Sequence, residues 1–409
     1  MLRYQGKIER LSLAEEGHST VAVTNKKAVS DEAKQAVAEP AASAPVEIPT
    51  AVRQALTKDP QKIFNYIQLT PVRKEGIFPL PQGQIAVTLR DAQACFNLNA
   101  LAQPTTASRP LAVQQLIALI SRLDVPAYRY VMNTRKVHTD DTPVKVLAPG
   151  QKKAKTGRIW TYVRDDRNVG SSSPPAVWFA YSPNRQGKHP EQHLRPFRGI
   201  LQADAFTGYD RLFSAEREGG ALTEVACWAH ARRKIHDVYI SSKSATAEEA
   251  LKRISELYAI EDEIRGLPES ERLAARQQRS KALLTSLHEW MVEKNGTLSK
   301  KSRLGEAFSY VLNQWDALCY YSDDGLAEAD NNTAERALRA VCLGKKNYVF
   351  FGSDHGGERG ALLYGLIGTC RLNGIDPEAY LRHILSVLPE WPSNRVDELL
   401  PWNVVLTNK

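Results

Sequence analysis

The chain has 409 residues, 43% of them hydrophobic, which is enough for two or three domains with proper cores. Its 54 Lys and Arg residues outnumber its 46 Asp and Glu residues, and the net charge of +8 favours a polyanionic partner. The five cysteines are scattered and never form a C-x-x-C pair, which argues against a disulfide scaffold or a four-thiolate zinc site. No apolar run reaches the roughly 18 residues that span a bilayer, and the N-terminus has no signal-peptide hydrophobic stretch, so we expect a cytoplasmic protein with no membrane partner.

The N-terminal third is predicted to hold two segments. Residues 1–58 are expected to be weakly structured and to end in a linker rich in Ala, Pro, Lys and Glu, because such a composition buries too little apolar surface to fold. Residues 59–130 are predicted to form a small α+β segment of unassigned fold, with a helix at 60–67, a strand at 84–89 and a helix at 111–123. In the last of these, apolar residues recur at helical spacing.

Residues 91–101 include the run Phe96-Asn97-Leu98-Asn99-Ala100-Leu101. This run resembles a segment of the minor pseudopilin K of type II secretion systems, although a pilin-like hydrophobic N-terminal helix does not accompany it. The resemblance implies an alternative function for the chain, as a component of a secretion apparatus.

Residues 131–243 are predicted to form the first part of an α/β core. Three alternating strands joined by short turns indicate an antiparallel meander. Two further strands, each followed by a helix, indicate a sheet of mixed direction with helices on its faces. The predicted strands are residues 137–147, 158–164, 176–181, 199–206 and 223–228, and the predicted helices are 189–197, 209–218 and one that starts near Ala229.

Residues 244–325 are predicted to be an all-α insertion, because their apolar residues form helical stripes. Residues 326–409 then complete the core. They begin with a helix that Asp330 or Asn331 caps, and they end with helices at 360–372 and 377–388. The glycine-rich run 352–360 matches neither a phosphate-binding loop nor a dinucleotide fingerprint, so we interpret it as a flexible turn.

Three acids are prominent because of where these elements place them. Asp140 lies in the first strand of the core, Asp204 ends the fourth, and Glu335 lies on a helix after the insertion. Two Mg²⁺ ions about 3.5–4 Å apart need hard oxygen ligands from several rigid elements. Two strands and a helix can supply such ligands, so we interpret the three acids as a two-metal site. For the Glu335 stretch alone, an ordinary capped helix with surface Glu and Arg side chains is the simpler interpretation.

Six short motifs, in order from His138 onward, resemble the catalytic core of the insertion sequence sixty-six family of transposases. They are His138-Thr139-Asp140-Asp141-Thr142-Pro143, Gly157 to Asp166, Leu201-Gln202-Ala203-Asp204 with Gly208-Tyr209, Cys227-Trp228-Ala229-His230-Ala231-Arg232-Arg233, Asn331-Asn332 with Glu335-Arg336 and Leu338-Arg339, and Gly344-Lys345-Lys346-Asn347. The resemblance implies a ribonuclease H-like fold and a DDE transposase, that is, a polynucleotidyl transferase.

By this resemblance, Asp140, Asp204 and Glu335 are the catalytic acids and the ligands of Mg²⁺, for which Mn²⁺ may substitute. Asp141 is the alternative to Asp140, since adjacent strand residues face opposite sides and only one can point at the metals. The pattern of the family favours Asp140. The implied partners are double-stranded DNA at transposon ends and target, a second copy of the chain in the DNA complex, and accessory transposition proteins.

Several residues around the acids are candidates for DNA contact, with a solvated basic face as the simpler interpretation for the cations. Lys345 and Lys346 have the composition of a loop that contacts the DNA backbone. His230 with Cys227 is also a candidate pair of zinc ligands, although no second pair follows at finger spacing. The candidate DNA-binding residues are Trp228, His230, Arg232, Arg233, Arg336, Arg339, Lys345 and Lys346.

The sequence before residue 130 departs from the family, whose members carry helix-turn-helix and cysteine-rich zinc-binding portions there. We therefore expect a truncated or fused copy. Its function would be metal-dependent strand cleavage and transfer at transposon ends, with an inactive relic that binds DNA non-specifically as the alternative.

Overall fold

The computed structural model describes residues 21–25, 73–80, 83–90, 109–148, 150, 153–387, 391–404 and 406. The chain divides into two compact units, residues 1–109 and 110–409. The predicted helix at 60–67 and the run at 91–101 lie outside the described residues. None of the helices in the described ranges is long and apolar enough to cross a membrane.

The first unit contains an antiparallel sheet. Its strands are β1 (Val21–Asn25), β2 (Arg73–Leu80) and β3 (Gly83–Arg90), in the order β1-β3-β2. Strand β3 confirms the strand predicted at 84–89. Strand β1 was not predicted, because its alternation of apolar and polar residues extends over too few positions to be distinctive.

The second unit is built on a five-stranded sheet. Helix α1 (Arg109–Met132) precedes it, longer than the helix predicted at 111–123. The strands follow in the order β6-β5-β4-β7-β8, with β4, β5 and β6 antiparallel and β7 and β8 parallel to β4. The strands are β4 (Lys136–Val146), β5 (Lys155–Arg164), β6 (Ala176–Ser182), β7 (Ile200–Gln202) and β8 (Thr223–Val225).

This order and direction confirm the predicted mixed sheet, and the fold is ribonuclease H-like. The last two strands are shorter than predicted, because neither Asp204 nor Cys227 pairs with a neighbouring strand. Between them, the predicted helix at 209–218 is a 3-10 turn, Thr207–Leu212, followed by turns that end at two glycines with positive φ, Gly219 and Gly220.

Helices lie between and after the last strands of the sheet, and those of the insertion share a core with α3. Helix α2 (Lys188–His193) precedes β7, and α3 (Trp228–Ser242) follows β8. The insertion contains α4 (Ala245–Glu263), α5 (Glu269–Ala275), a π-helical segment (Arg276–Ser280), α6 (Lys281–Thr297), α7 (Arg303–Asn313) and α8 (Trp315–Cys319). Its core includes Ile254, Met291 and Phe308, which are fully buried, and it also includes Trp228 of α3.

Three helices complete the second unit. They are α9 (Asn332–Tyr348), α10 (Asp354–Leu372) and α11 (Pro377–Val387). Two sequence interpretations are corrected here. Lys345 and Lys346 lie in the last turn of α9 and not in a loop, and residues 354–360 belong to α10 and not to a flexible turn.

The early start of α10 has a structural reason. Ser353 caps it, with its hydroxyl accepting a hydrogen bond from the Gly356 N–H. Glycine lowers helix propensity by about 1 kcal/mol per residue, which is why the sequence indicated a turn. A Cβ at Gly357 would lie 2.5 Å from the Tyr181 ring, and one at Gly360 would lie 2.7 Å from the Phe351 ring. The glycines therefore permit close packing of this helix on its neighbours.

A buried ionic cluster joins the insertion to the sheet. We define it as Lys136, Asp166, Glu261, Arg272, Arg276 and Glu328. Lys136 of β4 is fully buried, 3.4 Å from the Glu328 carboxylate, and Arg272 donates two hydrogen bonds to the same carboxylate at 3.2 and 3.0 Å. Burial alone would raise the pKa of Glu328, but Lys136 and Arg272 lower it to about 2. Glu328, in the segment before α9, thus joins that segment to β4 and to the insertion.

Candidate active site

The register of two parallel strands brings the first two acids together. Strand β4 pairs with β7 so that Lys136 lies opposite Ile200 and His138 opposite Gln202. Continued by two residues, this offset places Asp140 beside Asp204, just past the end of β7. Because β4 and β7 run in parallel, both carboxylates lie toward the same edge of the sheet.

The acids influence one another electrostatically. Burial, followed by the negative charge of Asp204 and smaller effects of Asp141 and Glu335, raises the pKa of Asp140 to about 7. Burial also raises the pKa of Asp204, against a lowering effect of Arg185. Among the described residues, no Lys or Arg forms an ion pair with Asp140. A buried carboxylate such as Asp140, with no such cationic partner, attracts cations.

Asp141 has the opposite environment. Its side chain is 1% exposed and lies 2.9 Å from Arg158 of β5 and 2.8 Å from Arg185, which follows β6. Arg185 also reaches Asp204 at 3.8 Å and stacks on the Phe206 ring. The charge of Asp141 is therefore neutralised by protein side chains, whereas that of Asp140 is not.

Glu335 lies in the first turn of α9 and faces α3. Its carboxylate is 3.7 Å from Nε2 of His230 and 3.5 Å from the guanidinium of Arg233. Together with Cys227, His230 and Glu335 form the one group in the described ranges in which three or more metal-ligating atoms from His, Cys, Asp or Glu all lie within 4.8 Å of one another. Asp140 and Asp204 are not members of this group.

Asn331 fixes this helix to the strand that carries Asp140. Its fully buried side chain donates from Nδ2 to the Thr139 carbonyl at 2.8 Å, and its Oδ1 lies 3.1 Å from Nδ1 of His138. Because Nδ2 donates, Oδ1 accepts, and His138 must carry its proton on Nδ1. The Asn331 N–H also donates to Sγ of Cys227 at 3.1 Å. Asn331 is therefore a hydrogen-bonding hub between β4, α3 and α9, and not the simple side-chain cap considered from the sequence.

The donors present suit a hard divalent cation. Oδ1 of Asp204 and Oε1 of Glu335 are buried without a hydrogen-bond partner, an arrangement that costs free energy unless another ligand satisfies them. Together with Asp140, they supply carboxylate oxygens from two strand regions and a helix. Mg²⁺ prefers such oxygens, and ligands that are shared between two ions need not all lie within one small sphere.

The cationic candidates lie mainly on the surface beside Glu335. Arg339 and Lys346 follow Glu335 by 4 and 11 residues, so they continue its stripe along the exposed face of α9. Arg336 is exposed on the same helix and donates to the Thr333 hydroxyl. Arg232 and Arg233 are exposed on α3, and His230 is partly exposed.

Two of the DNA-contact candidates, Trp228 and Lys345, are less exposed than these cations. Trp228 is 1% exposed, donates its indole N–H to the Leu318 carbonyl and packs edge-on against Trp315. It therefore belongs to the core and not to a DNA-contacting surface. Lys345 is half-buried, and its ammonium donates to the Thr142 hydroxyl at 2.7 Å and to the Pro143 carbonyl at 3.1 Å, which joins α9 to β4.

Sequence reasoning missed Arg185 and left Arg158 without a role. Arg185 follows the Ser182-Pro183-Asn184 turn and has no motif of its own. Its importance arises because β6 runs in the same direction as β4, so the chain after β6 emerges at the edge where Asp141 and Asp204 lie. The role of Arg185 could be found only from the order and direction of the strands in the sheet.

Comparison with protein families gives two adjoining matches. A family model described as "Transposase IS66 family" matches residues 106–359, more than half of the chain. A second model, described as "IS66 C-terminal element", matches residues 365–402.

Curated proteins that are similar to the chain fall into two groups. "Uncharacterized protein y4hP" of Sinorhizobium fredii is 41% identical over 285 residues, which cover 67% of this chain and 51% of that protein. "Uncharacterized protein y4qI" of the same organism is 37% identical over 277 residues, with the same two coverages. The chain thus spans about half the length of these relatives. "Putative type II secretion system C-type protein YghF" of Escherichia coli is 92% identical over 77 residues, which cover 19% of this chain and 23% of that protein.

Proposed function

We propose, from the premise that the chain belongs to the IS66 family of transposases, that it is a DDE transposase that cuts and joins DNA strands at transposon ends. The observation that carries this proposal is the β4–β7 register, which sets Asp140 beside Asp204; burial, followed by the like charge of Asp204, raises the pKa of Asp140. Glu335 contributes to the same electrostatic field from a helix that Asn331 fixes to β4.

In this proposal, Asp140, Asp204 and Glu335 hold Mg²⁺, with Mn²⁺ as a substitute. The bound ions supply activation of the attacking oxygen and stabilisation of the leaving oxygen in phosphoryl transfer. Arg158 and Arg185 hold Asp141 in ion pairs, so that of the two adjacent acids Asp140 is the one available to a cation. Burial raises the pKa of Asp204, and the charge of Arg185 opposes part of this rise.

The proposed substrate is double-stranded DNA, both at the transposon ends and at the target. The exposed cations near Glu335 and along α9 would contact phosphates, and such contacts position DNA without reading its sequence. They are Arg232, Arg233, Arg336, Arg339 and Lys346. We further propose that the protein acts in the cytoplasm, as a homo-oligomer on DNA and with accessory transposition proteins.

A strand-cleavage assay tests the proposal. Duplex DNA that carries the ends of the parent element is incubated with the full chain in Mg²⁺, in Mn²⁺ or in a chelator, and both nicked and joined products are measured. We expect products only with a divalent ion, and a loss of at least about 100-fold in rate for Asp204→Asn and for Glu335→Gln. Glu263→Gln, which changes an exposed acid on α4, is the matched control and should cleave like the wild type. Undiminished activity in Asp204→Asn would exclude the proposed site.

We consider two alternative functions. The exposed cations beside Glu335 would equally serve an inactive copy that binds DNA without cutting it. The 77-residue likeness to a putative type II secretion C-type protein favours a component of a secretion apparatus. The first alternative predicts salt-dependent DNA binding with no metal-dependent product. The second predicts that the chain fractionates with the secretion apparatus and does not retain DNA.

A further inference from the structure

We propose that Cys227, His230 and Glu335 form a second metal site, distinct in chemistry from the carboxylate site, that binds a zinc-type transition metal and removes Glu335 from catalysis. The site uses one ligand atom from each residue. Its ability to bind metal does not depend on the proposed function, whereas its inhibitory effect does.

The geometry of the group supports binding of a single ion. The three ligand atoms lie within 4.8 Å of one another. Ligands of a tetrahedral zinc ion lie about 2.0–2.3 Å from the metal, so the ligand atoms lie less than 4.8 Å from one another. Small movements of the three side chains toward one another would therefore complete the site. Cys227 is the N-cap residue of α3 and His230 lies in its first turn, so the start of one helix carries two of the three ligands.

The polar atoms of the group are incompletely satisfied. Nδ1 of His230 and Oε1 of Glu335 are both buried without a hydrogen-bond partner. His230 approaches Glu335 only to 3.7 Å, which is too far for a hydrogen bond. A metal ion that bound Oε1 of Glu335 and one ring nitrogen of His230 would satisfy the carboxylate oxygen that the protein leaves open.

The donor set selects the class of metal. Thiolate and imidazole ligands suit Zn²⁺ and Co²⁺, whereas Mg²⁺ requires oxygen ligands. One thiolate, one imidazole and one carboxylate also leave a fourth tetrahedral position open, as in zinc sites with three protein ligands. The Asn331 N–H that donates to Sγ of Cys227 is a ready outer-shell contact for a coordinated sulfur.

Occupation of this site has a consequence for the carboxylate site. Glu335 is the one residue that the two proposed sites share. A thiophilic ion bound by Cys227 and His230 would hold Glu335 at α3, which it already faces, and Asp140 and Asp204 would lose their third partner. Zn²⁺ is therefore expected to inhibit DNA cleavage in competition with Mg²⁺.

The test uses Co²⁺ as a spectroscopic probe of the full chain, without DNA and without Mg²⁺. We expect one Co²⁺ per chain with thiolate-to-cobalt charge-transfer absorption and visible bands typical of tetrahedral cobalt. Cys227→Ser should abolish the charge-transfer band and weaken Co²⁺ binding by more than about 100-fold, because losing a ligand costs more than losing an outer-shell contact. Glu335→Gln should alter the visible bands and weaken binding by at least about tenfold.

Matched controls come from the same molecule. Cys319→Ser removes another partly buried thiol, and His236→Asn changes another histidine of α3; both should leave the cobalt spectrum unchanged. Asp204→Asn should also leave it unchanged, because Asp204 belongs only to the carboxylate site. An absent charge-transfer band in the wild type would overturn the proposal, and so would a band that survives Cys227→Ser with the same affinity. Circular dichroism of each variant establishes that it is folded, and Glu335→Gln tests the site independently should Cys227→Ser not fold.

The inhibitory effect is measured in the cleavage assay. The Zn²⁺ concentration that halves the Mg²⁺-dependent rate should rise at least about tenfold in Cys227→Ser relative to its own uninhibited rate. Equal sensitivity of both proteins would show that the site does not control Glu335. If no cleavage is found at all, the proposed function fails while the cobalt spectrum still decides whether the metal site exists.

Discussion

Two adjacent aspartates show how the surroundings decide the chemistry of identical side chains. Asp140 and Asp141 follow each other in β4, yet Asp141 is held by Arg158 and Arg185 at 2.9 and 2.8 Å. Asp140 instead faces the negative charges of Asp204 and Glu335, and burial with these charges raises its pKa to about 7. An acid that is difficult to ionise in the free protein gains most from a bound cation.

Replacing each aspartate by asparagine should therefore change stability in opposite directions. The pKa of Asp140 rises on folding from 3.8 to about 7, so the folded state binds more protons across this range and ionisation of Asp140 costs up to about 1.4 kcal/mol per pH unit. Asp140→Asn avoids this cost and should raise the free energy of unfolding above pH 7, with no gain below about pH 4. Asp141→Asn should lower it by about 1–3 kcal/mol, because two arginines lose their partner.

Urea unfolding at several pH values, in a chelator, measures both effects. A gain in Asp141→Asn with a loss in Asp140→Asn would reverse the assignment of the two residues. It would then make Asp141 the candidate metal ligand.

At the scale of elements, the site depends on how α9 is attached to β4. Asn331 joins them near Asp140, and Lys345 joins them again at the far end of the helix through Thr142. The buried ionic cluster holds the preceding segment, with Glu328 between Lys136 and Arg272. These contacts determine where Glu335 lies, although none of them involves its side chain.

Asn331→Ala should destabilise the protein by about 2 kcal/mol, since the Thr139 carbonyl and the His138 ring N–H would remain buried without a partner. Asn332→Ala is the control, because within the described part of the chain that side chain bonds only to the nearby Asp330. Its effect should stay below about 1 kcal/mol. Equal losses of unfolding free energy in the two variants would show that the Asn331 bonds do not fix the helix.

Glu328 should make a large contribution to acid sensitivity. Its pKa falls on folding from 4.5 to about 2, so its stabilising contribution is complete above about pH 4.5 and is lost as the pH falls toward 2. Glu328→Gln leaves Lys136 and Arg272 buried with less compensation and should cost about 3–5 kcal/mol at pH 7. The variant should also lose less stability than the wild type between pH 4.5 and 2. Glu263→Gln, in an exposed pair with Arg279, is the control and should leave stability almost unchanged, because solvent screens such pairs.

Strands and helices could be predicted from the sequence where a regular spacing of apolar residues extends over many positions. The meander from β4 to β6 and the helices of the insertion follow from alternation and from helical stripes, which do not depend on distant contacts. The start of α10 was missed because Tyr181 and Phe351, remote in sequence, are what make its glycines favourable. The pairing of Asp141 with Arg185 and the group of Cys227, His230 and Glu335 also required the order of the sheet and the position of α9.

At the scale of the whole molecule, the chain has a net charge of +8, and several of its exposed cations lie beside the proposed site. Arg339 and Lys346 extend an exposed stripe from Glu335, and Arg232 and Arg233 adjoin it from α3. Cations of this kind neutralise phosphates and release counterions, so their contribution appears in the salt dependence of binding.

Arg339→Ala and Lys346→Ala should each lower the salt slope of DNA binding by about 1, uniformly across DNA sequences. Fluorescence anisotropy with labelled duplexes between about 50 and 200 mM salt measures this slope. Lys300→Ala removes an equivalent exposed charge from the insertion and should leave the slope unchanged. A slope that falls equally in all three variants would show that binding responds to net charge and not to this surface.

The most direct test of the central claim, that the carboxylates hold the metal used in strand cleavage, is a change of metal preference in Asp204→Cys. A thiolate binds Mg²⁺ poorly and softer ions better. We predict that this variant loses cleavage of transposon-end DNA in Mg²⁺ and recovers part of it in Mn²⁺, while the wild type cleaves in both. Cleavage by Asp204→Cys in Mg²⁺ at the wild-type rate would contradict the claim.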